Sequence, residues 1–303
     1  MKNILIIKLG ALGDFVQATG AFSAIRKHHR DAKITLLTTR AMMSFAYGNP
    51  HVDEVLIDER KKPFDLNYLF KLRSMLKGYD MVYDLQTNDR TNYMYFFMAG
   101  MPSWCGIAPG CSHKQTHPNR KNMHTIDRLA DQIKVAGIDV MDAADLSYAS
   151  TECESLAKKH NLDLEKTVLL VPGGSKHRPE KRWSYFADLS DIFNEKGYQT
   201  ILVGAGAEEV LLNDISRHCN AINLCNQTTI GQLICLSSKV AFFVGNDTGP
   251  THIAAASGAK GVVLFGSGSD PQRCAPRAEG VHILCKDDID AITTQEIIEK
   301  IAI

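Results

Sequence analysis

The sequence predicts an α/β protein built as two doubly wound units, and three observations carry that reading. Short apolar runs alternate with helix-periodic stretches through both halves, the pattern of parallel strands joined by crossover helices. The alternation pauses near the middle and restarts at Thr167. Several strands end in glycine-rich turns that lead into a helix, as at Gly10 to Asp14 and Gly245 to Pro250. A chain of 303 residues has room for roughly two domains of about 150 each. The expected units are 1–152 and 153–303.

In the first half, Ile4 to Ile7 is an apolar run suited to a buried parallel strand. Lys8-Leu9-Gly10-Ala11-Leu12-Gly13-Asp14 follows, and Phe15 to His29 reads as an amphipathic helix. The loop has neither the GxGxxG of a dinucleotide site nor the Gly-Lys-Ser/Thr of a P-loop. Asp14 either caps the helix or, as a carboxylate at a cleft edge, serves as a general base. Strands are expected at Ile34 to Thr38, Val52 to Ile57 and Met81 to Leu85, with helices at Ala41 to Tyr47 and Tyr68 to Leu76. Basic residues gather between elements, at Arg60-Lys61-Lys62 and from His113 to Arg128, which includes Arg120 and Lys121. These are solvated loops or, beside a cleft, cations for an anionic acceptor. Helices at Thr125 to Ala136, stopped by Gly137, and at Thr151 to His160 lead to the boundary.

The second half repeats the scheme. A strand at Thr167 to Val171 runs into Pro172-Gly173-Gly174-Ser175, then a basic loop to Trp183 and a helix from Tyr185 to Lys196 that Gly197 closes. Thr200 to Val203 is a strand whose turn, Gly204 to Glu209, opens the next helix; Ile222 marks a short strand and Ile230 to Leu236 a helix. Val240 to Val244 is a strand that breaks at Gly245-Asn246-Asp247-Thr248-Gly249-Pro250 before the small residues around His252. Such a turn aims unpaired N–H groups and a positive helix end over the sheet's carboxyl edge, where diphosphates bind. The plainer alternative is that Asp247 or Thr248 caps a helix. Val262 to Phe265 is the last strand expected, and Thr294 to Ile301 the terminal helix. Strand-end loops of both units are expected along a shared cleft.

Lys+Arg and Asp+Glu both number 34, so no overall field favours nucleic acid or a membrane. The amino-terminal apolar run is too short for a signal peptide and no segment reaches membrane-span length, which leads to a cytoplasmic expectation. No two of the eight cysteines have the spacing of a zinc knuckle or redox motif. They read as reduced structural thiols, with Cys235 and Cys285 in apolar runs as small core residues.

Five stretches in this order, IIKLGALGDFVQATGAFSAIR, VPGGSKHRPEKRWSYFADL, VGAGAEE, FFVGNDTGPTHIAAASG and VLFGSGSDPQR, resemble the lipopolysaccharide heptosyltransferases of glycosyltransferase family 9. The resemblance implies a GT-B fold, with two Rossmann-like doubly wound domains facing a shared cleft, the first binding the acceptor and the second the nucleotide sugar. It implies inverting, metal-independent transfer of a heptose from an ADP-sugar donor to an inner-core sugar of an anionic lipid-linked saccharide. Asp14 resembles the catalytic base and Lys181 the lysine that contacts the donor phosphates. Ser175, Asp247, Thr248, Gly249 and His252 match donor-binding positions, and Glu208 or Glu209 an acidic residue near the donor ribose. Arg273 lies in a Pro-x-Arg loop of structural character. Gly13, Arg60, Lys61, Arg120 and Lys121 are the acceptor-side candidates, although the stretch from His113 to Lys121 has no counterpart in the family pattern. No cofactor, metal ion, nucleic acid or obligate protein partner is implied. Any membrane contact is peripheral, on the inner face of the inner membrane. Two other readings stay open: a transferase or epimerase using a UDP-linked sugar, and a nucleotide-binding subunit without catalysis, against which the presence of both Asp14 and Lys181 speaks.

Overall fold

A computed structural model describes residues 1–62, 64–174 and 178–302. Ser175, one of the expected donor contacts, lies outside them. The chain divides into Met1–Tyr148 and Ala149–Ile303.

In the first unit the strands are β1 (Asn3–Ile7), β2 (Lys33–Thr38), β3 (Glu54–Ile57), β4 (Met81–Asp84), β5 (Ser103–Gly106) and β6 (His113–Lys114). They form one parallel sheet in the order β3-β2-β1-β4-β5-β6. The helices are α1 (Leu12–His28), α2 (Met43–Ala46), α3 (Leu66–Leu76), α4 (Phe96–Ala99), entered through a π-helical turn at Arg90–Tyr95, and α5 (Thr125–Lys134). β1 is central, with Ile4 beside both Ile34 and Met81. Ile4 to Ile7 are completely buried, which is why that strand carries no polar alternation. Trp104, Tyr95 and Phe96 pack with Leu72 and Leu76 of α3 under one face.

The second unit has β7 (Thr167–Val171), β8 (Gln199–Leu202), β9 (Ile222–Asn223), β10 (Phe242–Asn246), β11 (Gly261–Phe265) and β12 (Val281–Cys285). Their order is β12-β11-β10-β7-β8-β9, again parallel throughout. The helices are α6 (Glu154–Lys159), α7 (Phe186–Glu195), α8 (Glu209–His218), α9 (Ile230–Ser237), α10 (Gly249–Ala256), α11 (Pro271–Cys274) and α12 (Thr294–Ile301). Trp183, Phe186 and Phe193 anchor its core.

Both units follow one plan. The chain builds outward from a central strand, returns, and builds outward on the other side. The reversal lies between β1 and β4 in one unit and between β7 and β10 in the other. Loops leaving two such neighbours diverge, opening a crevice at the strands' carboxyl ends. Asp14 follows β1, Lys181 follows β7 and Asp247 follows β10, so each stands at a reversal point.

The structure corrects four expectations. Val262 to Phe265 is not the last strand, since β12 pairs with β11 along its whole length. As an edge strand β12 is only partly covered, so its apolar signal is weak, and Cys285 is exposed rather than in the core. β5 and β6 were not anticipated: one is a four-residue strand and the other a two-residue strand inside the basic stretch. Nor are all cysteines reduced, because Cys153 and Cys235 form a disulfide with Cα atoms 5.9 Å apart, tying the start of the second unit to α9. The pair is separated by 82 residues, beyond the reach of any spacing rule.

Gly20 sits in the middle of α1, and a Cβ there would lie 2.0 Å from the Asp142 carbonyl oxygen. Glycine in a helix normally costs about 1 kcal/mol relative to alanine. Here the sign reverses. Gly20→Ala is expected to lower the unfolding free energy by roughly 1–3 kcal/mol, the cost of overpacking, as read by urea denaturation; a stabilised variant would contradict the close approach.

Candidate active site

In the second unit the site is built around Asp247, immediately beyond β10. Its carboxylate is almost fully buried between Lys181 and His252: Lys181 Nζ donates to Oδ2 at 2.7 Å and His252 Nε2 lies 3.2 Å from Oδ1. Burial alone would raise the Asp247 pKa, but the hydrogen bonds and charges of His252 and Lys181 outweigh it and hold the carboxyl well below the usual range. Asp247 is therefore a fixed anion, not a helix cap. Thr248 occupies the N-cap position of α10, yet its hydroxyl makes no cap bond to the helix amides, and Pro250 stands in the first turn.

The loop that carries Lys181 is fastened on both sides. Asn246, completely buried at the end of β10, donates from Nδ2 to the carbonyls of Pro172 at 2.9 Å and Gly173 at 3.3 Å. Its Oδ1 accepts from the Trp183 amide at 3.3 Å. Arg182 donates to the Gly174 carbonyl at 2.8 Å, and the Trp183 indole N–H donates to the Ile292 carbonyl at 2.9 Å. Trp183 is thus a packing anchor, set edge-on against Tyr185 and Phe186, and Lys181 is delivered from a clamped segment. Asn246 is a positioning residue that sequence reasoning passed over, although it stands inside the Gly245 to Pro250 motif.

Glu208 and Glu209, equivalent in sequence, separate in space. A Cβ on Gly173 would lie 2.1 Å from Glu208 Oε1, and one on Gly204 would lie 2.9 Å from Oε2. The Glu208 carboxylate therefore lies over the ends of β7 and β8, and it accepts from the Ala205 amide at 3.1 Å. Glu209 instead accepts from Asn226 Nδ2 at 3.3 Å, on an exposed face. Arg273 lies on α11, and Gly249 is the first residue of α10.

In the first unit Asp14 and Gly13 fall in the first turn of α1, with Ala11 at the N-cap, so Asp14 is not the cap. Asp14 is half-buried. Below it lie two groups missed at the sequence level, Lys8 and Asp84, at the ends of neighbouring strands and 4% and 0% exposed. Burial lowers the Lys8 pKa, against the opposing pull of Asp14 and Asp84. The only sequence signal for Lys8 is a single cation closing an otherwise apolar run. The loop carrying Asp14 is pinned by Gln86 Oε1, which accepts from the Leu9 amide at 2.8 Å, and by Thr38 and Thr39, which donate to the carbonyls of Lys8 and Leu9 at 2.6 and 2.9 Å.

The acceptor-side candidates do not form one cluster. Arg60 and Lys61 follow β3 while Arg120 and Lys121 follow β6, the two outer strands of the sheet. Lys61 pairs with Glu59 at 3.3 Å and lies 3.8 Å from Asp65. Arg120 donates to Gln115 at 2.6 Å and to Thr87 at 2.7 Å, which turns it toward the loop after β4. Lys121 is exposed.

Asp84 sets a pH test. Burial pushes its pKa up to about 6, against hydrogen bonds from Thr87, Thr91 and Gln86. Folded protein therefore holds this proton more tightly than the unfolded chain does. The associated stability is complete below the ordinary carboxylate range and is lost as pH rises through about 6. The loss is on the order of 3 kcal/mol. Asp84→Asn, which keeps an acceptor for the two loop amides, should flatten the change in urea-unfolding free energy between acidic and neutral pH. A variant that loses as much as the parent over that interval would place the dependence elsewhere.

Comparison with known proteins places these features in a family. The family model for glycosyltransferase family 9 (heptosyltransferase) matches residues 69–300. Lipooligosaccharide heptosyltransferase 2 of Campylobacter jejuni is 26% identical over 273 residues, covering 84% of this chain and 78% of that one. Among solved structures, the family 9 glycosyl transferase of Veillonella parvula superposes with a TM-score of 0.87 at 22% identity, covering 99% of this chain and 95% of that one. The Escherichia coli ADP-heptose LPS heptosyltransferase II gives a TM-score of 0.79 at 20% identity, covering 100% and 98%. With a family model spanning most of its length and the same fold in these structures, the chain belongs to glycosyltransferase family 9, the heptosyltransferases.

Proposed function

We propose that this glycosyltransferase moves heptose from ADP-heptose to an inner-core sugar of an anionic, lipid-linked saccharide, inverting the anomeric centre. The observation that carries this reading is the Lys181–Asp247 ion pair, 2.7 Å long, at the reversal point where α10 begins. In this reading the acceptor hydroxyl oxygen attacks the anomeric carbon, the bond from that carbon to the diphosphate breaks, and ADP departs. Asp14 takes the hydroxyl proton. Lys181 and the first amides of α10 meet the charge that grows on the diphosphate; groups of this kind are worth about 3–4 kcal/mol each when preorganised. Pro250 has no N–H to give. Glu208, over the ends of β7 and β8, is the residue read as holding the ribose hydroxyls. Positive charge comes from protein groups, so no metal ion enters the scheme. Among the described residues no helix is long and apolar enough to cross a membrane, and a lipid-linked acceptor calls for peripheral contact with the inner face of the inner membrane.

The reading is tested by offering ADP- and UDP-linked heptoses with truncated core acceptors and weighing the products. Product is expected from the ADP sugar, undiminished in EDTA; product from the UDP sugar alone would replace the donor. Asp14→Asn should bind ADP with unchanged affinity while kcat falls by roughly 10²–10⁴, and retention of full turnover would remove Asp14 from the mechanism. Calorimetry separates the two glutamates: Glu208→Gln should weaken ADP binding about tenfold, the scale of a charged hydrogen bond, while Glu209→Gln leaves it unaltered. The reverse order would move the ribose contact to Glu209.

A further inference from the structure

Helix α3 has two apolar faces, and only one is used by the core. Tyr68, Leu72 and Leu76 are buried. Their spacing of four residues draws one stripe along the helix. On the opposite side Leu66, Phe70, Arg73 and Lys77 recur at intervals of four, three and four, a second stripe that points away from the sheet. Leu66 is 67% exposed and Phe70 71% exposed, and Phe64, just before the helix, is 88% exposed. Three large apolar side chains in seven residues, all mostly in water, are more than the scattered surface hydrophobes every protein carries. The π-helical turn and α4, which packs beside α3, add Tyr93 and Phe97, each 54% exposed and one turn apart.

The charges along this face that lack an ion-pair partner have one sign. The outward stripe continues into Arg73 and Lys77, and Lys61 and Lys62 precede Phe64, all exposed. The nearby carboxylates are engaged: Glu59 pairs with Lys71 at 3.5 Å and with Lys61, and Asp65 caps α3 by accepting from the Tyr68 amide at 3.0 Å. Among the described residues Lys62, Arg73 and Lys77 have no ion-pair partner. An apolar stripe flanked by the unpaired cations Lys62, Arg73 and Lys77 is complementary to a bilayer surface that carries negative headgroups.

Position gives the patch a purpose. The segment from Arg60 to Leu66 leaves the carboxyl end of β3, the same sheet edge at which Asp14 follows β1. We propose that Phe64, Leu66 and Phe70, with Lys62, Arg73 and Lys77 as flanking cations, form a docking surface for an anionic lipid bilayer. The aromatic and aliphatic side chains enter the headgroup boundary while the lysine and arginine heads stay among the phosphates. The Phe64 end of this surface lies at the carboxyl edge of the first unit's sheet, the edge that carries Asp14. That purpose rests on the lipid-linked acceptor proposed above; the binding itself does not.

The test is co-sedimentation of the full chain with phosphatidylcholine vesicles, with and without phosphatidylglycerol. Binding is expected only to the anionic vesicles, and it should weaken as salt is raised. Phe64→Gln with Phe70→Gln should reduce partitioning roughly tenfold or more, and Arg73→Gln with Lys77→Gln by about fivefold per charge. These side chains are exposed, so ADP affinity and turnover on a detergent-solubilised acceptor should match the parent. Absence of binding to anionic vesicles, or binding indifferent to both pairs of substitutions, overturns the proposal. So does a concentration-dependent dimer in sedimentation velocity that the phenylalanine substitutions dissolve, because a second copy would then be the occupant. Vesicle binding in a protein that transfers no heptose would sink the assigned reaction and leave the docking surface standing.

Discussion

A buried carboxylate, Asp247, held between Lys181 and His252 organises the candidate site of the second unit. Burial would raise the Asp247 pKa, and the hydrogen bonds and charges of His252 and Lys181 outweigh it; Lys181 has no other anchor for its ammonium among the described residues. Breaking such a pair by removing one member typically costs about 3–5 kcal/mol, mostly because the remaining charge is left without a partner. The loop carrying Lys181 is accordingly held close to Asp247 by contacts that do not involve the pair itself. Asn246 grips the turn after β7 and the Trp183 amide, while the Trp183 indole bonds to a distant carbonyl. A cation fixed in this way meets a developing diphosphate charge without first having to be ordered.

The first unit uses the same strand order for different chemistry. Its reversal point also gathers a lysine and two aspartates, yet Lys8 and Asp84 are sealed beneath the surface and only Asp14 reaches it. Burial lowers the pKa of one sealed group and raises that of the other, and each steadies the other's charged form. One topology thus places a half-buried carboxylate at the reversal point of one unit and an anchored lysine at that of the other.

Much of this was legible before any coordinates. Central strands of a parallel sheet are buried on both faces, so Ile4 to Ile7 and Val262 to Phe265 stand out as uninterrupted apolar runs. Edge strands are half-covered and short, which hid β6 and β12, and β5 is only four residues long with a polar start. Family resemblance marked Asp14, Lys181, Asp247 and His252 one at a time. It could not show that Lys181 and His252 share the Asp247 carboxylate, since Lys181 and Asp247 lie 66 residues apart. Glu208 and Glu209 are adjacent on the chain, and only the fold decides which one overlies the strand ends. The Cys153–Cys235 disulfide and the two-sided character of α3 were missed for related reasons. One is a long-range pairing, and the other an exposed stripe masked by the buried stripe beside it.

Coupling between Lys181 and Asp247 toward the diphosphate is measured directly by a double-mutant cycle on ADP affinity. Calorimetric titration of ADP into Lys181→Met, Asp247→Asn and the combined variant should give losses that do not add, the double variant binding about as weakly as Lys181→Met alone. Losses that sum would mean that each residue meets the nucleotide independently, and the clamped-cation account would be wrong.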